Sequence, residues 1–315
     1  MISVIIPNYN GINHLKVCFD SLREQTRKDF KIVLVDNNSS DNSMKFTEDN
    51  YPEIKIIKMN YNTGFAKSVN EGIKYSIENY KAEFILLLNN DTECEKKFLE
   101  EIMKGFINDS IGSVACKMIN FYDRTKIDDC GDFIKSRGSP YARGFQETDS
   151  GQYDKSEYIF GACAGAAVYR EEVFEKAGYF DEDFFAYYED VDFSFRLQIA
   201  GFKCLYNPAA VCYHKRGATT GTQSGLQVML CEKNLIALRI KNYPLSSLIK
   251  SFPFFILVRI IRYFRFYRDE SPQLFKAAVK GYLKGLLEIP SSLKKRKFIQ
   301  HNKKVTTKYL ESILR

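Results

Sequence analysis

Phe84-Ile85-Leu86-Leu87-Leu88-Asn89-Asn90-Asp91 is the stretch on which the fold turns. Five apolar residues cut off by two amides and a carboxylate read as a buried strand that stops at the carboxyl edge of a sheet. In open α/β sheets, ligands gather outside that edge. Downstream, Glu189-Asp190-Val191-Asp192 puts three carboxylates at a helix start, walled by Phe184, Phe185, Tyr187 and Tyr188. Aromatic walls reduce the solvation of a carboxylate and make it a better base.

Outward from residues 84–88, strand-like runs at 2–6, 30–35, 54–59 and 112–118 alternate with segments of helical spacing, such as Leu15, Cys18, Phe19 and Leu22. Alternation of this kind predicts an α/β fold with a parallel, doubly wound sheet, less regular in the second half. Residues 120–157, rich in Asp, Gly, Ser, Arg and Lys, read as a long, mobile loop. A helix is expected from about Glu189 to Ala200, stopped by Gly201. Short strands are expected around Pro208, within 203–214. The expected division is a catalytic domain at 1–240 and a basic helical extension at 241–315.

The chain carries +7, but residues 241–315 hold 17 Lys/Arg against 4 Asp/Glu, which leaves the first 240 residues at −6. A basic tail on a mildly acidic body points to an anionic surface as its partner. Residues 252–258 are apolar, and Arg259, Arg262, Arg265 and Arg268 follow at intervals of three. The stretch is too short and too charged to span a bilayer, but as a helix with an arginine face it suits a membrane interface. No nucleic-acid fold signature accompanies the tail. Eight cysteines without a C-x-x-C pair read as free thiols of a reducing compartment. Strand-like sequence from Ile2 leaves no room for a signal peptide. The expectation is a cytoplasmic protein, peripheral on the inner face of the membrane.

The residue chemistry leaves choices open. Asp36, at a strand end, can accept hydrogen bonds from a base or ribose, or cap the next helix. Asn89-Asn90-Asp91 suits Mg²⁺ or Mn²⁺ shared with diphosphate oxygens, or a helix N-cap. Glu189, Asp190 and Asp192 can supply a base or favour a helix dipole. His214 can be a metal ligand or a structural histidine, and Lys215 and Arg216 beside it can meet phosphate. No G-x-G-x-x-G follows the first strand, which argues against a dinucleotide enzyme.

Taken in order, the motifs are Val4–Asn10, Val35–Asp41 (Val-Asp-Asn-Asn-Ser-Ser-Asp), Asn62-Thr63-Gly64-Phe65-Ala66, Leu88-Asn89-Asn90-Asp91, Phe180–Phe185, Glu189–Asp192 with Arg196, and His214. This series resembles glycosyltransferase family 2, and within it the rhamnosyltransferase-like members, over residues 1–240. The resemblance implies a GT-A fold and an inverting transfer from a nucleotide-diphospho-sugar, dTDP-rhamnose or a UDP-hexose. The acceptor it implies is a glycan or polyprenyl-diphosphate-linked hydroxyl in cell-surface polysaccharide synthesis. Carried over by position, Pro7, Tyr9, Asp36, Gly64, Lys67, Asn70 and Asn90 would bind the nucleotide-sugar. Asp190 would be the catalytic base, with Glu189 and Asp192 at the acceptor. Asp91 and His214 would hold a divalent metal. Asn89 stands where the family's D-x-D pattern has its first Asp, which weakens the expected metal site. The alternative is a nucleotidyltransferase acting on sugar phosphates, although Pro7–Gly11 lacks the basic phosphate loop that such enzymes use.

Overall fold

The computed structural model describes residues 1–135, 139–216 and 224–314. Its strands are β1 (Ile2–Asn8), β2 (Phe30–Asp36), β3 (Lys55–Lys58), β4 (Phe84–Leu88), β5 (Thr92–Cys94), β6 (Ile111–Asn120), β7 (Ile127–Asp129), β8 (Asp132–Ile134), β9 (Pro140–Ala142), β10 (Glu157–Ile159), β11 (Ala166–Arg170) and β12 (Lys203–His214). The main sheet runs β10-β12-β6-β11-β4-β1-β2-β3. β1 lies parallel between β2 and β4, so chain order reverses there, at the topological switch point. β11 enters antiparallel between β4 and β6, which makes the sheet mixed.

Alternation along the strands feeds two cores. Ile5, Val33 and Leu87 face one side, where α3 (Gly64–Tyr80) packs Ala66, Val69 and Ile73. Val4, Leu34 and Leu86 face the other, covered by α1 (Ile12–Arg23) through Leu15, Phe19 and Leu22 and by α4 (Phe98–Met103). α2 (Ser43–Asn50) links β2 to β3, and α5 (Glu172–Ala177) precedes α6 (Glu189–Ile199). Near-continuous apolar strands are what a sheet buried on both faces requires.

The long-loop reading of 120–157 is overturned. β7 extends the sheet on β6, and β8 pairs with β9. Ile127, Cys130, Phe133 and Ile134 enter the first core among the polar residues that disguised them. Residues 136–138, inside that stretch, lie outside the described residues. The segment 203–214 is one strand with a register shift between Asn207 and Val211, not several short ones.

Beyond the sheet come α7 (Gly225–Asn242), α8 (Leu245–Arg265), α9 (Pro272–Leu287), α10 (Ile289–His301) and α11 (Thr307–Ile313). The chain's end returns to the body, with Leu310 in the first core and Leu314 bridging to Ile134. α8 turns the wrong way round for an ordinary surface helix. Ser247, Ser251, Phe255 and Arg259 face inward, while Ile249, Phe252, Leu257, Ile260, Ile261 and Phe264 are exposed. The arginines therefore do not share one solvent face: Arg259 is buried against Glu232 at 3.2 Å, Arg262 reaches the same carboxylate at 3.5 Å from a half-buried position, and Arg265 is exposed. No helix among the described residues is long and apolar enough to cross a membrane.

Candidate active site

The ends of β1, β2 and β4 meet at the switch point. Asn8 closes β1 opposite Asp36, and its Nδ2 donates to Asp36 Oδ1 at 3.0 Å. Its Oδ1 accepts from Asn90 Nδ2 at 2.7 Å. Asp36 is fully buried and also accepts from the Ser39 N–H at 2.9 Å. Pro7 sits one residue back on β1, and Tyr9 lies exposed at the rim. Asn8 thus ties the motif at 36 to the motif at 90, a role that its own sequence context did not reveal.

Asp91 and His214 converge, with Oδ1 3.3 Å from Nε2. The β12–β5 pairing sets His214 opposite Thr92. Asp128 from β7 accepts from His214 Nδ1 at 2.8 Å and also holds the Arg216 guanidinium at 2.5 Å. Burial disfavours the imidazolium, but the Asp128 and Asp91 carboxylates outweigh it and lift His214 to about 9. Burial likewise opposes the charge on Asp91 and Asp128, and their cationic partners still hold both below the usual carboxylate range. With Nδ1 engaged by Asp128, Nε2 and the Asp91 carboxylate face one another. An imidazole nitrogen beside one carboxylate fits a Mn²⁺ that takes its remaining ligands from a diphosphate. Among the described residues no three His, Cys, Asp or Glu side chains are arranged to hold a metal ion, so Asp91 and His214 would need further ligands from the diphosphate.

The loop at 161–165 joins this end to the candidate base. Gly165 C=O accepts from Asn89 N–H at 2.8 Å, and Ala164 N–H donates to Asp190 Oδ2 at 3.2 Å. Asp190 Oδ1 also accepts from the N–H of Val191. Burial raises Asp190 above the ordinary range, against the pull of the two N–H groups and the nearby Arg216. Asp129, Asp132 and Glu189 form a buried acidic group around it. Burial lifts Asp129 to about 7 and, with neighbouring carboxylates, pushes Asp132 and Glu189 well up. One oxygen on each of these three has no hydrogen-bond partner among the described residues. Asp128, Asp129 and Asp132 were missed from sequence. The signal was there in the interleaving of Ile127, Cys130 and Phe133 with acids.

Asp192 lies elsewhere in the network. It is fully buried, with Arg196 at 2.9 Å and Lys241 and Asn242 at 2.7 Å. Asn70 gives Nδ2 to the Phe180 carbonyl at 2.9 Å and takes the Phe180 N–H at 3.0 Å. Lys67, from the same helix, stands 3.8 Å from Glu182. Gly64 has φ +80°, and a Cβ there would lie 2.4 Å from the Phe185 carbonyl oxygen. Three members of the segment before α6 adopt positive φ: Phe185 at 63°, Tyr187 at 70° and Tyr188 at 67°. Such bulky residues resist that region by about 1–3 kcal/mol each, and held strain of this kind gathers at functional sites.

The family model described as glycosyl transferase family 2 matches residues 3–178, and that of glycosyl transferase family group 2 matches 157–267. The low-salt glycan biosynthesis hexosyltransferase Agl10 of Haloferax volcanii is 26% identical over 201 residues, 62% of this chain and 61% of that relative's length. The N-acetylglucosaminyl-diphospho-decaprenol L-rhamnosyltransferase of Mycobacterium tuberculosis is 24% identical over 70% of this chain and 78% of its own. The structure of GalNAc-T7 with UDP, GalNAc and Mn²⁺ superposes with a TM-score of 0.66 at 16% identity, covering 99% of this chain and 57% of that one. At that identity the likeness shows the fold, which is GT-A.

Proposed function

This chain belongs to glycosyl transferase family 2, and from that premise we propose that it transfers a sugar from a nucleotide-diphospho-sugar to a hydroxyl of a glycan or lipid-linked acceptor, inverting the anomeric centre. The observation that carries this reading is the 161–165 loop, which bonds to Asn89 at the Asp91–His214 end and to Asp190 at the other. On this reading one sugar diphosphate would lie along the loop, its phosphates at the Asp91–His214 end and its sugar toward Asp190.

Asp190 takes the proton of the acceptor hydroxyl as that oxygen bonds to the anomeric carbon from the face opposite the diphosphate. The bond from that carbon to the diphosphate oxygen breaks in the same displacement, and the nucleoside diphosphate leaves. Two N–H bonds aim the Asp190 carboxylate, and its raised pKa strengthens it as a base. Asp91 and His214 would hold Mn²⁺ or Mg²⁺, which would neutralise charge on the leaving diphosphate. Arg216, held by Asp128, adds a positive charge nearby. Asp36, Asn8 and Asn90 form the floor of the nucleotide side, with Pro7, Tyr9 and Gly64 around it. A rhamnosyl or other hexosyl donor is the reading that the two relatives support.

The division into a catalytic body at 1–240 and an extension at 241–315 belongs to the same proposal. The outward apolar face of α8, with Lys250, Arg262 and Arg265 on the same helix, suits a cytoplasmic, anionic membrane surface where lipid-linked acceptors lie. A panel of nucleotide-sugars with Mn²⁺ and a polyprenyl-diphosphate-linked acceptor tests the transfer, with NMR reading the product anomer. The reading expects one donor consumed, a nucleoside diphosphate released and the configuration inverted. Release of pyrophosphate, or retention of configuration, contradicts it.

A further inference from the structure

We infer that Asn234, in the middle of α7, is a positioning residue that holds the segment 184–188 so that α6 presents Asp190 to the acceptor. This inference rests on the reading of Asp190 as the base. It concerns a residue that touches none of the reacting groups.

Asn234 is fully buried. Its single Nδ2 lies 3.0, 2.9 and 2.8 Å from the carbonyl oxygens of Phe184, Ala186 and Tyr187. Those three carbonyls converge on one amide because the chain between them turns through the positive-φ residues Phe185 and Tyr187. A backbone that bulky residues resist persists only where its surroundings over-determine it. The α3 side supplies one restraint, since Phe65 N–H and Ala66 N–H donate to the Phe185 carbonyl at 2.6 and 3.4 Å. The α7 side supplies the other, with Lys233 Nζ donating to the Asp183 carbonyl at 2.6 Å beside Asn234.

The start of α6 depends on this segment for a specific reason. Tyr188, at the N-cap, is itself at positive φ and offers no side-chain cap. Its carbonyl accepts the first helical bond, from Asp192 N–H at 2.9 Å. The position of Asp190 within the first turn is therefore set by where the segment places Tyr188 and not by a capping side chain. α3 carries Gly64 on the nucleotide side, and α7 leads directly into the extension. One strained segment is thus gripped from the donor side and from the extension side, and the base follows it.

The test uses the full chain with Asn234→Ala and Asn234→Asp, the second being isosteric but presenting an acceptor to three carbonyls. Hydrogen exchange of peptides covering 184–192 is measured without substrate, and transfer kinetics are measured separately. The expected result is at least tenfold faster exchange in that segment, with kcat down tenfold to a hundredfold and donor KM within about threefold. A merely structural role would lower the melting temperature while leaving the kcat of the folded fraction intact, and that result would overturn the inference. So would unchanged exchange at 184–192. Should neither variant fold, Lys233→Met removes only the neighbouring strap to Asp183 and its ion pair with Glu288, and the same split in kcat against KM is expected from it; wild-type kcat in that variant would then count against the clamp. Failure of the wild-type chain to use any donor would sink the functional reading alone, because exchange at 184–192 is read without one.

Discussion

Asp190 and Gly64 show how much a single residue decides here. A base must be ionised to accept a proton, and burial raises Asp190 above the ordinary Asp value of about 3.9. Activity should therefore fall as pH drops through this raised value. The acid limb of a kcat/KM profile against pH should lie above the range of a free Asp, and a limb at or below about 4 would remove Asp190 as the titrating base. Gly64→Ala places a methyl against the Phe185 carbonyl at a φ that L-residues avoid. We expect about 1–3 kcal/mol of lost stability, read as a lower melting temperature; a melt matching wild type would show that the α3 grip on the segment is loose. Asp91 and Asp190 were legible in the sequence because each follows an abrupt change of pattern, from strand to polar turn or from aromatic cluster to helix. Asp128 was not, since its importance comes from His214 and Arg216, which reach it only through the β6–β12 pairing.

Among the elements, the segment 180–188 and α6 draw their stability from charges supplied by the extension. Lys241 lies between Asp181 and Asp192, and Lys295 of α10 reaches Asp181 and Asp183. Burial opposes the charge on Asp181 and Asp192, yet Lys241 and Lys295 depress the first carboxyl, and Lys241 with Arg196 the second. A carboxyl depressed in the folded state stabilises fully above its unfolded value of about 3.9, and this contribution fades as pH falls from there through the depressed folded value. Lys241→Met should cost about 3 kcal/mol, the low end for a broken buried pair because Arg196 and Lys295 remain, and should flatten the acid dependence of unfolding. Denaturant melts at pH 7 and pH 3 measure this, and an unchanged difference between them would contradict it. Of the partners of Asp192, Arg196 lies one helical turn on, but Lys241 and Asn242 lie about fifty residues away, so the acidic cluster at 189–192 gave little hint in sequence that Asp192 turns inward. The arginine periodicity of α8 misled for a related reason. Spacing of three predicts one face, but Glu232 draws Arg259 into the interior and holds Arg262 beside it.

At the scale of the whole molecule, residues 241–315 pack on the rest of the chain through Lys241, Lys295 and Leu310 and leave the outer face of α8 exposed. Truncation at residue 245 would strip Lys295 from Asp181, so membrane binding is better tested by changing the outer face of α8 alone. Ile260→Glu with Ile261→Glu, both about 60% exposed, should leave the fold intact and abolish sedimentation with vesicles containing phosphatidylserine. Equal sedimentation would place the membrane contact elsewhere or nowhere. A doubly wound α/β sheet could be anticipated from strand–helix alternation, but the strand order, the antiparallel insertion of β11 and the docking of α7, α10 and α11 depend on long-range pairs that no local pattern encodes. At the centre stands Asp190, deprotonating an acceptor hydroxyl that attacks a sugar diphosphate held at the Asp91–His214 end. The most direct measurement of that role is the turnover of Asp190→Asn beside its calorimetric affinity for the donor with Mn²⁺. The account predicts kcat lower by about 10²–10⁴-fold with donor affinity within about threefold; wild-type turnover in that variant would contradict it.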